Sequence, residues 1–163
     1  MVKAAEDASV EGTRLPGIEV LRLAVDTYEN DVLPLAPREG APAYWAAAQN
    51  DLGNALTTQG QRTGSDGGTT LLARAVEAYE AALTVYTKDA MPTNWATTQN
   101  NLSNALRTQG ERTGGEAGKA LLARAVEACE AALTIRAKDA MPADWAATQN
   151  NLANALVIQS ERT

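Results

Sequence analysis

Asparagine returns at fixed intervals in this chain. Asn54, Asn104 and Asn154 each open an Asn-Ala-Leu triplet, and Asn50, Asn100 and Asn150 each follow a glutamine one helical turn earlier. A carboxamide carries both donor and acceptor, so a row of them can hold a peptide backbone without reading its side chains. The same row can instead pair with itself or with neighbouring helices and fix how they stack, and the residue types leave both readings open.

Other groups that could do chemistry are weaker. Asp26 and Glu29, Glu77 and Glu80, and Glu127 and Glu130 are carboxylate pairs three residues apart. Such pairs can hold hard cations, but nothing else completes a site. Arg74 and Arg124 lie one turn before Glu77 and Glu127, so a solvated, partly ion-paired face is the expectation. Gly114-Gly-Glu-Ala-Gly-Lys119-Ala120 fails as a phosphate loop: the spacing is a residue short, no Ser or Thr follows the lysine, and no strand precedes it. The single cysteine, Cys129, takes the place of Tyr28 and Tyr79 on an apolar stripe and reads as inert packing. With no histidine, and no Ser or Cys beside a plausible base, a nucleophilic enzyme has nothing to build on. No catalytic residue, metal ligand or cofactor is expected.

The elements that position these residues follow from a repeat. Trp45, Trp95 and Trp145 are fifty residues apart, and residues 45–94 and 95–144 agree without a gap at about two positions in three. A period of that size marks a solenoid or array. Leu72, Val76, Tyr79, Leu83 and Tyr86 step by four and three, as one helix face does. Leu122, Val126, Cys129 and Leu133 repeat that face, and Leu21, Val25, Tyr28, Val32 and Leu35 form a diverged copy that Pro34 and Pro37 end. These are B-type helices, expected over 17–36, 68–89 and 118–139. Pro42, Pro92 and Pro142, each three residues before a tryptophan, open A-type helices over 42–63, 92–113 and 142–162, because proline suits a first helical turn. The A helix packs through Trp95, Leu102, Ala105 and Leu106, while Thr97, Asn100, Asn101, Asn104, Arg107 and Thr108 share another face. Gly64–Gly68 and Gly114–Gly118 read as turns between A and B. Each tryptophan reads as a buried packing wedge at a B-to-A junction, with an aromatic ligand platform as the alternative; full burial of an indole is worth at most about 4–6 kcal/mol.

These residues resemble a known family. Asn101-Leu-Ser-Asn-Ala-Leu106 followed by Gln109-Gly110 is similar to the first-helix signature of tetratricopeptide (TPR) repeats. Ala75-Val-Glu-Ala-Tyr79 with Ala82-Leu83, and Ala125-Val-Glu-Ala-Cys129 with Ala132-Leu133, resemble the second-helix signature. The resemblance covers roughly residues 17–163. The family's small residue after the leucine is kept as Gly53, Ser103 and Ala153. Its period is about 34 residues, so each copy here carries about sixteen more, roughly ten of them aligned between A and B and six between B and the next A. The resemblance implies an all-α, right-handed α-solenoid of stacked antiparallel helix hairpins with six main helices. Residues 1–16, small and polar with Gly12 and Pro16 and no periodic apolar pattern, read as a flexible tail or as a frayed remnant of an earlier helix. The resemblance also implies a non-catalytic protein–protein interaction scaffold whose first-helix asparagines line a groove and clamp a bound peptide. Asn50, Asn54, Asn100, Asn104, Asn150, Asn154 and Arg107 are then the candidate contacts. Where relatives that grip an acidic C-terminus use Lys and Arg, this chain has Thr97, Asn100 and Asn101, which argues against that ligand class.

Net charge −6 and a pI near 4.7 argue against nucleic acid, whose binding needs clustered Lys and Arg. No apolar run approaches the roughly 18–20 residues of a membrane span, and the first residues lack a signal-peptide core. A cytoplasmic protein is the expectation. The partner is expected to be a protein or peptide. The alternative is a self-assembly module with no groove ligand. Val157-Ile158 replace the polar pairs Thr57-Thr58 and Arg107-Thr108 of the earlier copies, so a patch of Leu152, Leu156, Val157 and Ile158 is expected to pair two copies as a homodimer.

Overall fold

A computed structural model describes residues 16–162, and among these there are six main helices and no strand. The tail expected over 1–16 lies outside the described residues except for Pro16, which opens the first helix. Helix α1 (Pro16–Thr27) continues through a π-helical turn (Tyr28–Val32) and a last α turn (Leu33–Leu35). Then follow α2 (Pro42–Arg62), α3 (Ser65–Leu83), α4 (Pro92–Arg112), α5 (Gly115–Leu133) and α6 (Pro142–Ser160). The A helices are α2, α4 and α6; the B helices are α1, α3 and α5. The chain is an α-solenoid of helix hairpins in which α2 packs on α3, α4 on α5, and each B helix on the A helix that follows.

Two spans differ from expectation. The B helices start earlier and stop sooner, at Ser65–Leu83 and Gly115–Leu133. The glycine-rich stretches are therefore first turns of helices, not loops. Their glycines serve close approach: a Cβ on Gly68 or Gly118 would collide with the carbonyl oxygen of Thr63 or Thr113. That closeness lets two residues, Thr63-Gly64 or Thr113-Gly114, reverse the chain. At the other end, Thr84 and Thr134 turn their hydroxyls back onto the carbonyls of Ala81 and Ala131, at 2.6 and 2.7 Å. Hydroxyls so placed compete with the helical ladder. The chain then tightens, with Val85 N–H bonded to the Ala82 carbonyl three residues back. The residues that exceed the family's period thus lie in helices of 21 and 19 residues and in an eight-residue link from B to A.

The π turn has a sequence cause. Leu21, Val25 and Tyr28 stand 51 residues before Leu72, Val76 and Tyr79, whereas Pro42 stands 50 before Pro92. One extra residue must be absorbed between them, and a turn closed from i to i−5, here Leu33 N–H to the Tyr28 carbonyl, absorbs one. The shift takes Leu35 off the buried stripe expected for it; it is 86% exposed.

One core runs through the stack, built from Leu52, Leu56, Val76, Tyr79, Leu102 and Leu106 with small residues between. Ala75, Ala105, Ala125 and Ala155 are fully buried, which lets the helix axes come together. Leucines buried this fully are worth about 1.5–3 kcal/mol each. The tryptophans are half-buried rather than enclosed. Trp45 and Trp95 pack on a satellite cluster of Ala46, Ala82 and Tyr86 at a B-to-A junction. A cation covers each ring, with Arg38, Lys88 and Lys138 at 5.4, 5.6 and 5.3 Å from the centroids of Trp45, Trp95 and Trp145. Such contacts suit an indole that keeps one face towards solvent.

Candidate binding groove on the A helices

Among the described residues successive A helices pack on one another, whereas successive B helices stand further apart and are joined by the long ion pairs Arg74–Glu29 and Arg124–Glu80. Those pairs correct the expectation that Arg74 and Arg124 would partner the glutamates of their own helices. The A layer is the tighter of the two, which puts it on the inside of the curve. Its inner surface between α2 and α4 carries two openings. The upper, about 240 Å3, is lined by Ala47, Asn50, Asp51, Tyr86, Asn94, Thr97 and Thr98. The lower, about 270 Å3, is lined by Asn54, Thr57, Thr58, Gln61, Tyr79, Asn101 and Asn104. On α2 these residues follow one another at three- and four-residue steps, so one helix stripe lines both.

The expected asparagines divide into two kinds. Asn50 Oδ1 accepts from Thr98 Oγ1 at 3.2 Å and from Asn101 Nδ2 at 3.4 Å, and Asn100 Oδ1 accepts from Asn151 Nδ2 at 3.0 Å. These amides tie each A helix to the next. Asn54 and Asn104 instead face the lower opening together. Asn54 Oδ1 accepts from the Tyr79 hydroxyl at 2.9 Å, and Asn104 Oδ1 from Arg107 Nη2 at 2.8 Å, which leaves both NH2 groups for a ligand carbonyl. Asn150 and Asn154 are exposed on α6. Arg107 is also ion-paired with Glu111.

The two repeats fill the space behind these residues differently. A Cβ on Gly53 would lie 2.6 Å from the Tyr79 ring, so glycine there admits the tyrosine. Tyr79 is 1% exposed and also meets the Thr57 hydroxyl at 3.2 Å. Burial pushes its pKa up to about 12, against the lowering effect of the Thr57 bond, with the Asp51 carboxylate adding to the rise. Tyr28 is shifted the same way, by burial first and Asp51 second. In the second repeat Ser103 and Cys129 replace Gly53 and Tyr79 and meet at 2.7 Å. The thiol is fully buried, as expected of packing, and burial raises its pKa more than Ser103 lowers it.

Three further features escaped sequence reasoning. Arg112 Nη1 donates to the Gly60 and Thr63 carbonyls at 2.7 and 3.0 Å, and Nη2 to that of Gln61 at 3.0 Å. Arg162 does the same for Gly110, Thr113 and Glu111. Each A helix thereby caps the C-terminal carbonyls of the one before it, where a cation also meets the negative helix end. Arg136 takes the place of Tyr86. It is 5% exposed and bridges the hydroxyls of Thr97 and Thr148, at 3.1 and 2.8 Å, with no carboxylate partner among the described residues. Asp51 stands where the other copies have Asn101 and Asn151. The sequence carried two signals: Arg112 and Arg162 are shared between copies, whereas Arg136 and Asp51 differ between copies otherwise alike.

At the C-terminal end, Leu156 and Val157 are 45% and 56% exposed, while Leu152 and Ile158 are half-buried. Among the described residues no group of His, Cys, Asp or Glu could hold a metal, and no helix is long and apolar enough to cross a membrane.

A fold of stacked hairpins with a polar stripe along its inner helices defines a helical-repeat module. The tetratricopeptide repeat model matches residues 95–117, which span α4 from its tryptophan and the start of α5. With the six helices, this fits a TPR-like helical-repeat family, whose repeats serve as protein–protein interaction scaffolds. No curated protein and no solved structure matches the chain.

Proposed function

We propose that this protein is a non-catalytic scaffold that holds an extended peptide segment of a protein partner along the inner face of α2 and α4. The observation that carries the reading is the placement of Asn54 and Asn104 on the two sides of one opening, each with its oxygen engaged and its NH2 group available. An extended backbone offers carbonyls to such donors at every residue, whatever its side chains. Asn154, Asn150 and Arg107 extend the candidate surface towards α6. The test takes peptides selected on the protein from a random library. Replacing Asn54, Asn104 and Asn154 together by Ala should weaken binding at least tenfold, with the melting temperature within a few degrees of the parent. Unchanged binding, or a collapse of stability, would assign the amides to structure alone.

A second reading has its own observation. Leu156 stands where Leu56 and Leu106 are buried in the core of the earlier repeats, Val157 stands where Thr57 and Arg107 do, and both are exposed. Leaving such side chains in water forgoes about 1.5–3 kcal/mol each. A homodimer through Leu152, Leu156, Val157 and Ile158 would recover part of that. Light scattering decides it: Val157→Arg with Ile158→Glu should be monomeric at concentrations where the parent is dimeric, and a parent that is itself monomeric ends the idea.

A further inference from the structure

We infer that the upper opening between α2 and α4 is a cation site, which receives one Lys or Arg side chain of the bound peptide. This rests on the peptide-scaffold reading and adds the ligand's chemistry to it.

The argument starts from Asp51. On the inner stripe the other copies place a neutral amide at this position, Asn101 and Asn151, and both are spent on tying A helices together. Asp51 does not share that role. It is exposed, it forms no ion pair among the described residues, and it accepts a long 3.5 Å hydrogen bond from Asn50 Nδ2. Its negative charge reaches inward far enough to oppose ionisation of both Tyr28 and Tyr79. A carboxylate that lines an opening and pairs with no cation among the described residues can attract one from a ligand.

The surroundings set the kind of cation. Asn50 Oδ1 is already occupied by Thr98 and Asn101, so it adds little. Asn94, at the rim and exposed, offers a further amide oxygen. The floor is Tyr86, 5% exposed, whose hydroxyl is turned away onto the Ala43 carbonyl at 3.4 Å. That leaves an apolar ring, with Ala47, for an alkyl stem, and acceptors at the rim for a charged head. Long basic side chains distribute themselves in that way. The volume, about 240 Å3, lies below the roughly 300–1,000 Å3 of pockets for whole small molecules, and suits a single side chain. The opening adjoins the asparagine pair of the lower one through Asn50 and Asn101, so a backbone held there would pass its side chain upward.

The experiment selects peptides from a random twelve-residue library on the intact chain and, in parallel, on Asp51→Asn and Asp51→Lys. Asp51→Asn restores the amide of the other copies and should fold as they do, which circular dichroism checks. The parent should enrich Lys or Arg at one position. Asp51→Asn should lose that preference, with roughly fivefold weaker binding of the parent's peptides at low salt. Asp51→Lys should replace it with Asp or Glu. Peptides that bind the parent through Asn54 and Asn104 without a basic position would overturn the cation site and leave the scaffold standing. A basic position that survives in Asp51→Asn would also overturn it. If no peptide is selected at all, the scaffold reading falls and this inference falls with it.

Discussion

The interval between α2 and α4 and the interval between α4 and α6 are built on the same frame and finished differently. In the first, Gly53 admits the Tyr79 ring, Thr57 is short, and Tyr86 floors an opening. In the second, Ser103 meets Cys129, Arg107 replaces Thr57, and Arg136 lies buried across from Thr97 to Thr148. The opposite side diverges far less, Glu29 in the first depression aside. The depression lined by Gln49, Leu52, Leu56, Arg74, Glu77 and Ala78 has its counterpart lined by Gln99, Leu102, Leu106, Arg124, Glu127 and Ala128. A feature that recurs identically follows from how the helices splay. A feature that differs between copies identical around it is where binding specificity can reside.

The largest expected effect breaks the first interval. Tyr79→Cys alone removes a buried ring behind Gly53 and should cost about 3 kcal/mol. Gly53→Ser alone forces a side chain into that ring and should cost about 1–3 kcal/mol. Together they copy the second interval, so the double variant should be at least about 1 kcal/mol more stable than the sum predicts. Urea denaturation of the four proteins measures this, and strict additivity would mean that the two positions are not exchanged as a unit.

A smaller effect tests what the intervals share. Arg112→Ala uncaps α2 and should cost about 2 kcal/mol, since three charged hydrogen bonds to carbonyls are lost at a helix end. Arg112→Lys should recover only part of it, because an ammonium lacks the planar fork that reaches three carbonyls. Thermal melting checks both.

An effect confined to alkaline pH separates the two plugs. Tyr79 holds its proton to about pH 12 in the folded chain, whereas an unfolded tyrosine gives it up near 10. The unfolded state is therefore favoured as pH rises between those values. The associated stability is intact below pH 10 and lost towards 12, by at most about 2–3 kcal/mol. Tyr79→Phe should show a shallower alkaline decline in urea midpoint than the parent, and an equal decline would place the titration elsewhere.

Much of the frame was legible because it rests on periodic features. The tryptophans, the prolines that open A helices and the stripes that begin at Leu72 and Leu122 recur at fifty residues, and each tryptophan, proline and stripe leucine lies in a helix of the expected type. The glycine-rich stretches misled because glycine marks two situations alike in sequence, a turn and a close approach; Gly68 and Gly118 serve the second. Leu35 was misplaced because one inserted residue does not reveal whether a link or a helix absorbs it. The groove was half legible. Repetition singled out the asparagines, but not which of them face the opening and which face the next helix, since that depends on the rotation of each A helix. Asp51 and Arg136 went unmarked because they are where the repeat fails.

The central claim is that the inner face of α2 and α4, and not the end of α6, is the binding surface. Two-dimensional NMR of the labelled protein tests it directly, by following side-chain amide signals as a library-selected peptide is added. The account predicts that the Asn54, Asn94 and Asn104 carboxamides move and saturate together, while backbone signals at Leu156 and Val157 stay in place. Shifts confined to Leu156, Val157 and their neighbours, with the asparagine carboxamides unmoved, would contradict it.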